Sequence, residues 1–127
     1  MKIRIKGNTL RLRLSQTEIK QLDEAGMVSE AIAFGPGQTL VYSLERSDAA
    51  ESPRAVYSDH RILVILPEKA VRDWVQSDQV SIVGEQNNAT SEGLSLLIEK
   101  DFRCLTERAH EDEEDLFPHP KEGEINC

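Results

Sequence analysis

The residues whose type and spacing best suit chemistry lie at the start of the chain: Lys2, Arg4, Arg11 and Arg13. They alternate with apolar side chains in Lys2-Ile3-Arg4-Ile5-Lys6 and Leu10-Arg11-Leu12-Arg13-Leu14, and strict alternation is the period-2 signature of a half-buried strand. Gly7-Asn8 between them suits a two-residue hairpin turn. That turn pairs Lys6 with Thr9, Ile5 with Leu10, Arg4 with Arg11, Ile3 with Leu12 and Lys2 with Arg13. The apolar pairs share one face and the cations the other. Like charges directly opposed across a strand pair are destabilising unless something neutralises them. One neutraliser is a set of acids from other strands, with Glu45, Glu99 and Asp101 completing a surface charge network. The other is an anionic ligand, because guanidinium forks match phosphate and carboxylate in bidentate geometry.

Other constellations carry less. Cys104, His110, His119 and Cys127 could bind zinc, but their spacings, five, eight and seven residues, are unlike the short knuckle pairs of zinc sites. The acids from Glu111 to Asp115 lack the glycine and alternation of a calcium loop and read as a solvated run. No nucleophile, base and orienting acid stand together, and Phe34-Gly35-Pro36-Gly37-Gln38 is a turn whose proline removes a donor that a phosphate cradle would use. These absences imply no cofactor and no metal, and favour a protein that is not an enzyme.

The elements that must position the cations follow from local signals. Ser15-Gln16-Thr17-Glu18 has capping-box spacing, Ile19, Leu22 and Ala25 or Met27 form a helical stripe, and Gly26 can end it. Strand candidates Val28 to Phe34 and Thr39 to Glu45 flank Gly35-Pro36-Gly37, which completes ββαββ. The polar stretch from Ser47 to Arg54 divides the body. An offset of 52 residues then brings Ile5 onto Tyr57, Leu10 onto Ile62, Leu12 onto Val64, Leu14 onto Leu66, Ile19 onto Val71, Leu22 onto Trp74 and Val28 onto Val80, so the second half repeats the first. After a two-residue shift Leu44-Glu45-Arg46 matches Ile98-Glu99-Lys100. The expected fold is α+β: duplicated ββαββ units, residues 1–52 and 53–104, forming one curved or barrel-like antiparallel sheet of about eight strands with two helices packed on it. Residues 105–127 are expected to be an acidic, loosely ordered tail.

The copies differ on the cationic face, where Val56, Leu63 and Ile65 stand in place of Arg4, Arg11 and Arg13. The run from Ile62 to Leu66 suits a strand buried on both sides, or one that meets another subunit in a homodimer. The chain has 127 residues, 39% hydrophobic and 30% charged, which fits one globular domain. Its formal charge is -8. Residues 105–127 hold eight acids against Arg108 and Lys121, so the tail carries -6 and the body -2. That balance argues against nucleic acid as a partner. No run reaches the roughly 18 apolar residues of a membrane span. Two cysteines make no disulfide framework, and with no apolar leader the expectation is a reducing cytoplasm.

The stretches Lys2 to Asn8, Leu10 to Leu14, Phe34-Gly35, Leu96 to Phe102 with Cys104-Leu105, and Glu111 to Glu113 with Phe117-Pro118 together resemble a family of short, uncharacterised bacterial proteins. The resemblance spans nearly the whole chain and implies no activity. A closed barrel would also be similar in broad architecture to the triphosphate tunnel enzymes, although Lys2, Arg4 and Lys6 stand where that family's first strand alternates glutamates. The functional expectation is a small non-enzymatic binding or structural module, with binding or hydrolysis of a small phosphate-type anion at the basic hairpin face as the alternative.

Overall fold

The first hairpin forms as its alternation dictates. In the computed structural model, which describes residues 1–102, 115 and 117, β1 (Lys2–Lys6) and β2 (Thr9–Leu14) pair antiparallel with Lys6 opposite Thr9 and Arg4 opposite Arg11. Gly7 makes the turn at φ +53, in the left-handed region that glycine enters without steric cost. Helix α1 (Gln16–Ala25) begins at a complete capping box between Ser15 and Glu18 and stops at Gly26, φ +87, whose N–H closes onto the Leu22 carbonyl. Strands β3 (Met27–Gly35) and β4 (Gln38–Ser47) follow as a second hairpin.

The second half runs through the same order: β5 (Arg54–Ser58), β6 (Arg61–Pro67), α2 (Glu68–Gln76), β7 (Ser81–Gln86) and β8 (Leu94–Lys100). His60 sits in the β5–β6 turn with Asp59, both at positive φ.

The α+β class stands, but the expectation of one barrel-like antiparallel sheet is corrected. The described residues form two four-stranded sheets, ordered β1-β2-β8-β7 and β3-β4-β6-β5. Both are mixed, because β2 runs parallel to β8 and β4 parallel to β6. Each sheet therefore takes one hairpin from each half. Where the sheets' edges meet, side chains replace a main-chain ladder. Gln86 of β7 clasps Ala55 of β5, accepting from its N–H at 2.6 Å and donating to its carbonyl at 3.0 Å. The preceding residue but one, Pro53, has no N–H to offer a ladder. Near the other edge pair the Met1 amino group meets Glu18 and lies 3.0 Å from Glu30, while the Tyr42 hydroxyl donates to the Met1 carbonyl. Burial, and then Glu30 and Glu18, push the Tyr42 phenol above its ordinary pKa.

One core joins the inner faces of both sheets to the helices. Leu12, Leu14, Leu96 and Ile98 of the first sheet and Val28, Leu44, Val64 and Leu66 of the second are buried with Ile19, Leu22, Val71 and Trp74. Two cations inside this frame serve helix ends, where the last carbonyls lack partners and favour positive charge. Arg46 on β4 donates to the Leu22 and Asp23 carbonyls at the end of α1 and meets Glu68 in the first turn of α2 at 2.8 Å. Lys100 on β8 donates to the Ser77 carbonyl at the end of α2, at 2.9 Å. Burial lowers the Lys100 pKa, partly offset by Asp78.

Of the acidic segment after Cys104, the described residues Asp115 and Phe117 are docked on the body. Phe117 meets Phe102 edge-on at 5.7 Å and lies under the Lys100 ammonium. Asp115 accepts from the Thr17 N–H at 3.1 Å and the Thr17 hydroxyl at 2.9 Å, at the positive end of α1. Burial tends to raise the Asp115 pKa, but hydrogen bonds from Ser15 and Thr17 outweigh it and hold the carboxyl below its usual value. A lowered folded pKa means that this contribution is whole above the ordinary carboxylate range and fades as pH falls through the folded value. Asp115→Ala should therefore cost at most about 1 kcal/mol at neutral pH, since the contact lies near solvent, and less once the carboxylate is protonated. Urea melts of both proteins across the acid range check this; a difference that does not shrink toward low pH would refute it.

Candidate functional site

The cations of the first hairpin lie on the outer face of the first sheet, away from the helices. The registers arrange that face in three rows across β1, β2, β8 and β7: Lys2, Arg13, Glu99, Ser81; then Arg4, Arg11, Leu97, Val83; then Lys6, Thr9, Ser95, Glu85. The first row is largely neutralised. Lys2 Nζ is 2.8 Å from Asp101, whose side chain is almost fully buried. Arg13 Nε donates to Glu99 Oε1 at 2.5 Å. Arg11 Nε reaches the same oxygen at 2.7 Å, close enough for an ion pair, but it is not aligned to donate and remains a buried donor without a hydrogen bond. Geometry decides here: one carboxylate oxygen serves two guanidiniums and hydrogen-bonds one.

The other two rows are where charge is left over. They line a concave pocket of about 460 Å³, walled by Arg4, Lys6 and Arg11 on one side and Glu85 on the other, over a floor that includes Leu97 and Val83. That volume is in the range of small-molecule sites. Neither Arg4 nor Lys6 has an ion-pair partner among the described residues. Glu85 accepts from the Ser95 hydroxyl at 2.9 Å. Counting the whole face, five cations stand against Glu85, Glu99 and Asp101, a local +2 on a chain of -8. Anions are drawn to such a patch, and its half-enclosed walls concentrate the field.

The structure thus brings together Lys2, Arg4, Arg11, Arg13, Glu99 and Asp101, and sets Glu45 apart. Glu45 lies on β4 of the second sheet, between Met27 and Ile65. The pocket residues that the sequence reading did not single out are Thr9, Leu97, Val83, Ser95 and Glu85. Lys6 was legible as the next outward position after Arg4. The β7 and β8 residues depend on the β2–β8 pairing, which no local pattern announces.

The described residues form two sheets and no closed barrel, so the tunnel arrangement of a metal-phosphate enzyme has no counterpart among them. Among the described residues no three His, Cys, Asp or Glu side chains gather to hold a metal ion. The Cys104, His110, His119 and Cys127 set lies outside the described residues. No helix among the described residues is long and apolar enough to cross a membrane.

No curated protein and no solved structure matches the chain. A family model matches residues 1–121, from the cationic hairpin through Asp115 and Phe117. The chain belongs to that family, the family of unknown function DUF7009.

Proposed function

We propose that this protein is a small binding module that holds a phosphate- or carboxylate-bearing organic molecule in the pocket on the outer face of its first sheet. The observation that carries this reading is the surplus of donors there: among the described residues Arg4 and Lys6 have no ion-pair partner, and Arg11 Nε has no hydrogen bond. Arg4 and Arg11 would take the anion, since their forks lie directly opposite across β1 and β2. Leu97 and Val83 would carry the ligand's carbon frame, and Glu85 would set its polarity by repelling a second anion. Lys2, Arg13, Glu99 and Asp101 act as the ion-paired border that holds Arg11 in place.

A thermal-shift series with sulfate, phosphate, phosphate monoesters, nucleotides and polyphosphate, with and without magnesium, tests this. Saturable stabilisation is expected for at least one organic phosphate, shrinking as salt rises. Each charge-assisted hydrogen bond contributes about 1.5–3 kcal/mol, so Arg4→Ala/Arg11→Ala should weaken binding by on the order of a hundredfold or more. Arg72→Ala on α2 should leave it unchanged. A wild type that responds to none of these ligands would sink the proposal.

We also infer that residues 1–52 and 53–104 are copies of one ββαββ unit. Exchange of the halves, β1 for β5 through β4 for β8, turns the order of one sheet into that of the other, which supports the reading. So does the matching service of Arg46 and Lys100 at the ends of α1 and α2. The copies have diverged outward, where Arg4, Arg11 and Arg13 face Val56, Leu63 and Ile65 as their counterparts. On this reading the anion site belongs to the first sheet.

A further inference from the structure

The outer face of the second sheet has the opposite character. Its registers also make three rows, here across β3, β4, β6 and β5: Met27, Glu45, Ile65, Arg54; Ser29, Ser43, Leu63, Val56; Ala31, Val41, Arg61, Ser58. Both helices lie with the core on the other side of this sheet. Met27 and Val56 are each about two-fifths exposed. The β3–β4 hairpin extends the face beyond β6, whose pairing begins at Val41, and residues 31–44 contain no charge. At the centre Ser29 and Ser43 bond each other at 2.8 Å and Ser43 is already buried within the chain, so the two hydroxyls are satisfied without water.

We infer that this face binds a second copy of the same chain, about a two-fold axis running along the strands between β4 and β6. That axis lays β4 over the partner's β6 and β3 over its β5, the aligned packing of a sandwich. The small serines of the middle row then receive the large side chains of the same row: Ser43 meets Leu63, and Ser29 meets Val56. In the first row Glu45 comes over Ile65 beside Arg54, and both charges lack an ion-pair partner among the described residues of their own chain. The face is therefore self-complementary in size and in charge. It also carries Arg54 and Arg61 against Glu45, so two chains of -8 would meet where neither is negative.

The area suffices. Strands about 4.8 Å apart with about 3.3 Å per residue give this sheet and its hairpin extension on the order of 500 Å² of flat face. Two copies reach about 1,000 Å², the lower bound for a specific interface.

Light scattering and sedimentation equilibrium of the full chain test the inference. A mass twice 14.3 kDa is expected. Leu63→Glu should give a monomer. Glu45→Arg and Arg54→Glu should each weaken the dimer by about tenfold or more, because the two-fold repeats every contact, and the double charge reversal should restore it. A wild type that stays monomeric up to its solubility limit overturns the proposal. So does a dimer indifferent to all these changes, which would use another surface, or one that the double reversal fails to rescue. Should Leu63→Glu not fold, the charge-reversal set at the rim decides alone.

Discussion

Trp74→Ala should cost about 3–5 kcal/mol, the range for deleting a large buried aromatic side chain, and lower the melting temperature by roughly 15–25 °C. Trp74 is fully buried on α2 and is the largest side chain of the core shared by both sheets. Its indole N–H also donates to the Val80 carbonyl at 3.0 Å. That carbonyl accepts from the Lys100 N–H as well, at the same distance, so losing the indole leaves it satisfied. The effect is thus almost wholly one of volume. Trp74→Phe keeps most of the ring and should cost about half as much or less. Denaturant melts of the three proteins decide; equal losses for phenylalanine and alanine would mean the hydrogen bond, not the packing, carries the site.

Gly84 is expected to tolerate nothing larger. It lies buried on β7, and a Cβ there would stand 2.7 Å from Pro53 Cβ, closer than such atoms approach, and a tight 3.2 Å from its Cγ. The proline ring is rigid, so the two sheets must part. Overpacking of this kind costs about 1–3 kcal/mol, and the parting strikes a second contact, because Gln86 clasps Ala55 two residues along each strand. Freeing the Ala55 amide pair adds about 1–3 kcal/mol for each buried group left unsatisfied. Gly84→Val should therefore destabilise by more than Gly84→Ala, and either change should be partly redundant with Gln86→Ala in a double-mutant cycle. Additive losses would show that the two contacts are independent, and an unchanged midpoint for Gly84→Ala would refute the argument.

Much of this fold was legible because its hairpins and caps are local. The Gly7-Asn8 turn and the alternation around it led directly to the register that brings Arg4 opposite Arg11. Ser15, Glu18 and Gly26 marked both ends of α1. What no short window contains is which hairpin joins which, since that depends on pairs such as Arg13 and Glu99, 86 residues apart. One curved or barrel-like sheet is the economical expectation for eight strands with edges to hide. The chain instead seals the edges with Gln86 and crowds Gly84 against a proline that cannot extend a ladder. The same limit explains the candidate site. Glu99 and Asp101 reach the cations, while Glu45, identical in local pattern to Glu99, is carried to the other sheet by the exchange of hairpins.

That exchange governs how the protein can be made. Within either half only the two hairpins and a short helix can form, and isolated hairpins are marginal in water. The parallel pairings β2–β8 and β4–β6 both join residues of different halves. While β8 is still being synthesised, the cationic strand β2 has an open side and the first sheet has no floor for its pocket. The second sheet draws on residues 27–67 alone, so it is the first sheet, and with it the closing of the shared core, that must wait for the far end of the body and its distant contacts.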